Sequence, residues 1–293
     1  MLNFNFNLSN FIKKIFLRYL IIIVVCMSFT VCALSGCATS KTSFVNPEGM
    51  SLEKRLKTPE GYGRDKTSDF GKFIRQYPMK KDGASVLLHN GKKKNNQDAH
   101  IAVFDMNLGE QNLQQCADSI IRLYAEFLYN SNQRDKIGFH FVNGFYADYD
   151  NWRKGKRIAI NGNNVSWISS KGYDDSNETF EKYLEVVFTY ASTISLKEES
   201  KPVLLENAEI GDCFLHAGSP GHVVMIVDIC INDKGKKAYL LAQGYMPAQE
   251  FHLLKNPAHK SDPWYYEDEI VYPLKTPEYT FKKGSLRHPN YLE

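Results

Sequence analysis

Apolar residues recur at helical spacing in two segments near the middle of the chain. In "LQQCADSIIRLYAEFLY", Leu113–Tyr129, they fall at the i, i+3, i+4, i+7 positions of a buried helix face. Asn112 is predicted as the N-cap, with Gln115 three residues later completing a capping box. The segment "NETFEKYLEVVFTYASTIS" predicts a second amphipathic helix. Cys116 therefore falls both on the buried face and in the first turn of its helix.

Continuous apolar runs further along the chain predict an antiparallel sheet. The run "HVVMIVDICI" from His222 is typical of a central strand, preceded by a short strand from Asp212. The turn "NDKG" and the return strand "AYLLAQ" complete a hairpin. Val86–His89 and Ile101–Met106 predict another hairpin, whose basic tip "GKKKNNQ" is expected to be solvated. The aromatic, proline-rich tail is expected to wrap the domain.

The first 36 residues predict a secretory signal. Lys13, Lys14 and Arg18 precede an apolar run that ends in "LSGC" at Cys37. This pattern resembles a bacterial lipoprotein signal, in which cleavage precedes the cysteine and that cysteine is lipidated. An uncut membrane anchor is the alternative interpretation. Acyl chains on Cys37 would hold the protein on a membrane surface without spanning the membrane.

The chain is therefore divided into three parts. Residues 1–36 are the signal peptide, 37–57 the lipidated cysteine with a flexible tether, and 58–293 a single α+β domain. The signal holds three of the 36 Lys and Arg and none of the 33 Asp and Glu, so residues 37–293 carry 33 of each sign. This balance gives no electrostatic reason to expect a nucleic-acid partner.

Three cysteines follow Cys37, namely Cys116, Cys213 and Cys230. In an oxidising envelope an odd number leaves one thiol free or paired between molecules. A disulfide between Cys213 and Cys230 is geometrically doubtful, because they lie near opposite ends of adjacent predicted strands. The spacing of Cys213, His216 and His222 resembles that of metal ligands, but a fourth ligand is lacking. We predict neither a metal nor another cofactor.

Cys116 and His222 are the candidate catalytic residues. A helix N-terminus stabilises a thiolate, and an imidazole at the start of a central strand could take the thiol proton. Gln243 is the candidate third residue, since its amide oxygen can accept the imidazole N–H. Tyr245 and Gln249 are alternatives, because a one-residue change at the turn would reverse the face of Gln243. The opposing interpretation is structural, since free cysteines are among the most buried residues.

The segment "IGDCFLHAGSPGHVVMIVDI" resembles the strand–turn–strand of NlpC-type and CHAP-type cysteine peptidases and amidases. The resemblance implies a papain-like fold, with a mainly antiparallel sheet packed on a cysteine-bearing helix. It also implies Cys116 as nucleophile and His222 as general base. Helix N-terminal amides would stabilise the oxyanion, supported by Gln111 or Gln115. Gln115 and Ala117 depart from the pattern, because those families usually have Asp and Ser there.

The chain also resembles bacterial envelope lipoproteins of the domain of unknown function 4846 family. The matching segments are "NQDAHIAVFDM", "LQQCAD", "GDCFLHAGSPGH" and "LLAQGYMPAQE", within residues 58–281. This resemblance implies an envelope location but no activity. By analogy with lipoprotein sorting, Ser40 and the absence of Asp after Cys37 favour the outer membrane over the inner membrane.

Two functions are consistent with these patterns. One is a cysteine hydrolase or amidase acting on peptide or amide bonds, with cell-wall peptides as one substrate class. The other is a catalytically inactive binding or scaffolding lipoprotein, whose cleft would hold a peptide or glycan of the envelope.

Overall fold

Helices and strands alternate irregularly along residues 43–292, the part of the chain described by this computed structural model. In this part the α-helices are α1 (Leu52–Arg55), α2 (Asp69–Gln76), α3 (Cys116–Asn130), α4 (Tyr149–Arg153), α5 (Asn177–Tyr190) and α6 (Thr193–Glu198). The strands are β1 (Tyr62–Gly63), β2 (His100–Val103), β3 (Gly138–His140), β4 (Tyr146–Asp148), β5 (Lys156–Asn161), β6 (Asn164–Ser169), β7 (Ser200–Pro202), β8 (Cys213–His216), β9 (His222–Asn232), β10 (Lys237–Gln243), β11 (His252–Leu254), β12 (Tyr265–Tyr266), β13 (Leu274–Lys275), β14 (Thr280–Phe281) and β15 (Leu286–Pro289).

The largest sheet has nine strands and is antiparallel at every pairing. Seven strands lie in the order β2–β11–β10–β9–β8–β15–β7, while β1 pairs with β9 and β12 pairs with β10. The pairs β3–β4, β5–β6 and β13–β14 form separate two-stranded sheets. The predicted α+β class with a mainly antiparallel sheet is therefore confirmed.

Strand β9 is the central strand, as its apolar run predicts. Its first nine residues are buried, and it forms the predicted hairpin with β10. Asp228, in the middle of β9, is fully buried and accepts hydrogen bonds from the Nε atoms of Arg64 at 2.6 Å and Arg75 at 2.8 Å. Since Arg75 belongs to α2, this ion pair attaches that helix to the sheet.

The β9–β10 pairing shifts by one residue between Leu240 and Leu241. Beyond this bulge Ala242 lies opposite Met225, and directly opposed residues project to the same face, so the next residue, Gln243, shares the face of Val224. Val224 in turn shares a face with His222, two residues away. Without the shift, Gln243 would lie opposite Met225 and project to the other face of the sheet.

Helix α3 packs against β9 and β10, and α5 packs against α3 and α4. Both predicted amphipathic helices are present, but the predicted N-cap of the first is wrong. Gln115 is the N-cap, and its backbone N–H donates to the Asp118 carboxylate at 3.0 Å. The Asn112 side-chain oxygen, Oδ1, instead accepts a hydrogen bond from the backbone N–H of Ala248 at 2.7 Å. Cys116 is therefore the first helical residue.

The hairpin predicted from residues 86–89 and 101–106 is also wrong. Strand β2 pairs with β11, a strand distant in sequence, whereas Leu87 and Leu88 form only isolated bridges with Lys93 and Gln249. The expected solvated tip is only partly correct, because Lys94 is 7% exposed. Long-range pairing thus overrides the local hairpin signal.

Residues 43–57, assigned to the tether by the sequence, pack onto the domain. Leu52 and Leu56 are buried, and Val45 forms a bridge with Leu56. The side chain of the buried Arg55 donates to the carbonyl oxygen of Gly49 at 2.8 Å. The predicted tether therefore does not extend as far as residue 57.

The predicted signal peptide, its lipidated Cys37 and the rest of the tether lie outside the described residues. Within residues 43–292, the helices are too short or too polar to cross a bilayer.

Candidate active site

Cys116 borders a cavity of about 350 Å³ at the N-terminal end of α3. The cavity is bounded by the first turn of α3, the residues around the α5–α6 junction, the turn 218–221 and Met246. Cys116 is 7% exposed, so the thiol lies close to the cavity but is largely withdrawn from water. His222 is not among the lining residues, although Gly221, directly before it, is one.

The first turn of α3 lies directly on the backbone of Gly244, the residue that follows β10. A Cβ atom at Gly244 would be 2.5 Å from Ser119 Oγ and 2.8 Å from the Gln115 carbonyl oxygen. Both distances are shorter than van der Waals contact, so only glycine allows this approach. The approach brings the start of the Cys116 helix to the end of the strand that carries Gln243.

His222 and Gln243 are brought together as predicted. His222 Nε2 and Gln243 Oε1 are 2.8 Å apart, and the residues are 3% and 0% exposed. The rings of Tyr245 and Tyr279 each pack with their centroids 4.7 Å from that of His222. The imidazole is therefore held by one side-chain hydrogen bond and by ring contacts.

Cys116 lies in the same neighbourhood as His222, but their side chains are not hydrogen-bonded within the described structure. The backbone N–H of Val223, the residue after His222, is close enough to lower the pKa of the Cys116 thiol. Tyr245 and Tyr279, which contact the His222 ring, also interact electrostatically with Cys116. The thiol and the imidazole therefore share their neighbours without a direct bond.

Burial dominates the protonation of both candidate catalytic groups. Burial and the nearby charge of Asp118 raise the pKa of Cys116 to about 11, and the N–H groups of Ala117 and Val223 only partly oppose this. Burial lowers the pKa of His222 to about 4, against the effect of its bond to Gln243. Near pH 7 the free protein therefore holds a neutral thiol and a neutral imidazole. The N–H groups at the helix N-terminus lower the pKa of the thiol, as expected, but burial and Asp118 outweigh them in the unliganded site.

The two predicted oxyanion residues occupy different positions. Gln115 lines the cavity beside Cys116, whereas Gln111 is exposed and does not line it. Asp118, which sequence reasoning missed, also lines the cavity, and burial raises its pKa to about 8. An acidic residue three positions after the N-cap is the sequence signal that could have identified it.

The alternative assignments for the third residue do not hydrogen-bond to the imidazole. Tyr245 packs against the His222 ring, and Gln249 lies buried in an isolated bridge with Leu88.

The other two cysteines lie outside the candidate site. Cys213 contacts the Tyr124 hydroxyl at 3.4 Å. Its thiol and that of Cys230 are free. Among residues 43–292, no three or more His, Cys, Asp or Glu side chains form a group able to hold a metal.

A buried polar cluster behind Gln243 was missed by sequence reasoning. Gln243 Nε2 donates to Glu278 Oε2 at 2.8 Å, and Glu278 forms an ion pair with Lys94. His252 Nε2 is 3.3 Å from Lys94 Nζ. Lys94 belongs to the basic run interpreted as a solvated tip and Glu278 to the aromatic tail. No local pattern distinguishes them from surface charges.

The fold and site define an α+β protein with a cysteine at a helix N-terminus beside a buried histidine–glutamine pair. The chain belongs to the family described as Domain of unknown function (4846), which matches residues 52–288. No curated protein and no solved structure matches the chain in the corresponding comparisons. The family resemblance is thus confirmed, while the papain-like resemblance has no structural neighbour to support it.

Gly244→Ala is expected to displace the first turn of α3 from β10. The added methyl group meets backbone as well as side-chain atoms, so we expect a loss of about 1–3 kcal/mol in the free energy of unfolding, measured in urea. Gly63→Ala is the matched control, because a Cβ there meets no atom within 4 Å. Equal stability of the two variants would contradict the close approach at Gly244.

Stability is expected to fall as His222 becomes protonated. The pKa of His222 is about 4 in the folded protein, against an ordinary value of 6.5, so the unfolded chain binds the proton first as pH falls. The contribution of the neutral His222 to the free energy of unfolding is complete above about pH 6.5. It is lost as the pH falls towards 4, on the order of 3 kcal/mol in total. Urea unfolding at pH 7, 5.5 and 4 should show a smaller loss in His222→Gln than in wild type. Parallel pH profiles for the two proteins would exclude a neutral, buried His222.

Proposed function

We propose that this protein is a cysteine hydrolase or amidase, with a papain-like domain, acting on peptide or amide bonds. The observation that carries the proposal is the 2.8 Å bond between His222 and Gln243, placed beside the helix that begins at Cys116. An oriented imidazole near a thiol at a helix N-terminus is the arrangement that nucleophilic acyl transfer requires.

The hydrogen bond to Gln243 gives the two imidazole nitrogens different roles. The Oε1 atom of Gln243 can only accept, so His222 donates through Nε2–H. In the neutral ring the lone pair then lies on Nδ1, which is the atom available to take a proton. His222 is thus prepared as a general base at neutral pH, where its pKa of about 4 keeps it unprotonated.

The reaction proposed from this resting state starts with a neutral pair. Cys116 Sγ bonds to the substrate carbonyl carbon while its proton passes to His222 Nδ1. The carbonyl oxygen becomes an oxyanion that accepts hydrogen bonds from N–H groups at the start of α3, with Gln115 in support. His222 then protonates the leaving amine as the carbon–nitrogen bond breaks. Water, deprotonated by His222, hydrolyses the thioester and restores the thiol.

The proposed mechanism requires the thiol and the imidazole to approach each other when substrate binds. Catalytic hydrogen bonds that are long or unformed in free enzymes commonly tighten in the substrate complex. Removal of water from the 350 Å³ cavity by a bound peptide would strengthen each electrostatic contact within it.

The first test is hydrolysis of peptide amides and cell-wall peptides by the purified protein. Cys116→Ala should abolish turnover, and His222→Ala should lower it by about 10²–10⁴-fold, since the general base is removed. Cys213→Ala is the matched control, because that thiol is buried beside Tyr124. Turnover that survives Cys116→Ala would show that this thiol is not the nucleophile. Iodoacetamide labelling of Cys116 should rise with pH towards its pKa of about 11.

A second candidate is a catalytically inactive binding lipoprotein that uses the same cavity. It is favoured by the neutral state of both groups and by the missing thiol–imidazole bond in the free protein. Peptide or glycan binding measured by calorimetry, unchanged in Cys116→Ala and without turnover in wild type, would favour this candidate.

We also propose that Cys37 carries the lipid that anchors the protein in the bacterial envelope, on the outer membrane. The support is the signal pattern that ends in "LSGC" and the absence of Asp after Cys37. A cell-wall location would place peptide cross-links within reach of the cavity.

Cys37→Ser is expected to abolish incorporation of a clickable palmitate analogue and to release the protein from the membrane fraction. The physical reason is that the acyl chains supply the membrane affinity, at about 0.8 kcal/mol per buried methylene group. Cys32→Ser, within the apolar run of the signal, is the control and should label normally. Equal labelling of both variants would contradict lipidation at Cys37.

A further inference from the structure

We infer that Glu278 and His252 are positioning residues that fix the amide orientation of Gln243 and, through it, the proton position on His222. The inference deepens the proposed function and rests on it for its kinetic consequence alone. Its structural basis is a chain of hydrogen bonds in which each acceptor determines the next donor.

The chain starts at His252, the first residue of β11. His252 Nδ1 is 2.8 Å from the backbone carbonyl oxygen of Glu250, and a carbonyl oxygen can only accept. Nδ1 therefore carries the proton. His252 is fully buried, which lowers its pKa, so the ring is neutral and Nε2 presents a lone pair.

Gln243 Nε2 then faces two acceptors at once. It is 2.8 Å from Glu278 Oε2 and 3.4 Å from His252 Nε2. The opposite amide orientation would place the Gln243 oxygen against a carboxylate and a nitrogen lone pair. Because Gln243 is 0% exposed, water could not relieve that repulsion. The amide nitrogen is thus held towards Glu278 and its oxygen towards His222.

Lys94 keeps the Glu278 carboxylate ionised, so that it can only accept hydrogen bonds. Burial opposes ionisation of the Glu278 carboxyl, but the ion pair with Lys94 holds its pKa below the ordinary value. Glu278 is 12% exposed and Lys94 is 7% exposed, so the pair is poorly screened by solvent. At neutral pH Glu278 is therefore ionised and accepts a hydrogen bond from the Gln243 amide nitrogen, which keeps that amide in one orientation.

The consequence for the proposed reaction is specific. Gln243 Oε1 faces His222 Nε2, which must donate, and Nδ1 keeps the lone pair that accepts the thiol proton. A reversed Gln243 amide would instead donate to Nε2 and move the proton to Nδ1. The ring would then present a donor where the mechanism needs a base. Glu278 acts on the reaction through Gln243 and does not touch the reacting atoms.

The test is the nitrogen spectrum of His222 in histidine-labelled protein at pH 7. In wild type we expect a one-bond Nε2–H cross-peak that exchanges slowly, together with an Nδ1 shift typical of an unprotonated nitrogen. In Glu278→Gln the new side chain can donate or accept, so only the lone pair of His252 Nε2, 3.4 Å away, still opposes the reversed amide, and the Nε2–H peak should broaden or vanish. The His222→Gln spectrum assigns the peaks by difference.

Glu269→Gln is the matched control, because Glu269 lies on the same tail and bonds a different histidine, His259, at 2.6 Å. It should leave the His222 peaks unchanged. Should Glu278→Gln fail to fold, Glu278→Asp keeps the charge but withdraws the carboxylate by about 1.5 Å, and the same loss of the peak is expected. An unchanged His222 spectrum in a folded Glu278 variant, or a proton on Nδ1 in wild type, overturns the inference.

If wild type hydrolyses the substrate, kcat should fall on the order of 10–100-fold in Glu278→Gln with little change in KM, since the base is misoriented but the cavity is intact. A kcat equal to wild type with an altered His222 spectrum would overturn the positioning role. Absence of wild-type turnover would refute the proposed function alone, because the spectrum still reports whether Glu278 sets the His222 proton.

Discussion

The contact between the first turn of α3 and the backbone of Gly244 is the constraint on which the site depends. Cys116 is fixed to the start of a helix, and Gln243 to the end of a strand. The two are brought together only because no side chain separates the helix from the chain at residue 244. A similar approach occurs at Gly221, where a Cβ would lie 2.2 Å from Thr193 Oγ1. Two glycines thus allow the close packing of segments around the cavity.

Burial has opposite effects on the components of this site. It keeps the thiol neutral, which removes the resting reactivity of Cys116, and it keeps the imidazole neutral, which leaves His222 able to act as a base. It also excludes competing water from Gln243, so the hydrogen bonds of its amide become strongly directional. The reversed orientation of the Gln243 amide would leave buried polar atoms without hydrogen-bond partners, which is costly. One amide orientation therefore dominates. Burial therefore lowers the resting reactivity of the Cys116 thiol and at the same time fixes the position of the proton on His222.

The sequence predicts those features that depend on neighbouring residues. The periodicity of α3, the apolar run of β9 and the turn to β10 are all local, and each is present in the structure. The face of Gln243 is not local, because it depends on a bulge near Leu241 within an apolar run that looks uniform. Lys94 and Glu278 could not be predicted either, since their burial arises from contacts between segments far apart in sequence.

The order of these segments along the chain affects when the site can form. Cys116 and the strands carrying His222 and Gln243 are all synthesised before the tail that contributes Glu278 and Tyr279. The tail alone supplies the carboxylate that orients Gln243 and the second ring, that of Tyr279, that packs on the imidazole. The site is complete only when the tail has docked, so completion of the thiol site is tied to completion of the whole domain.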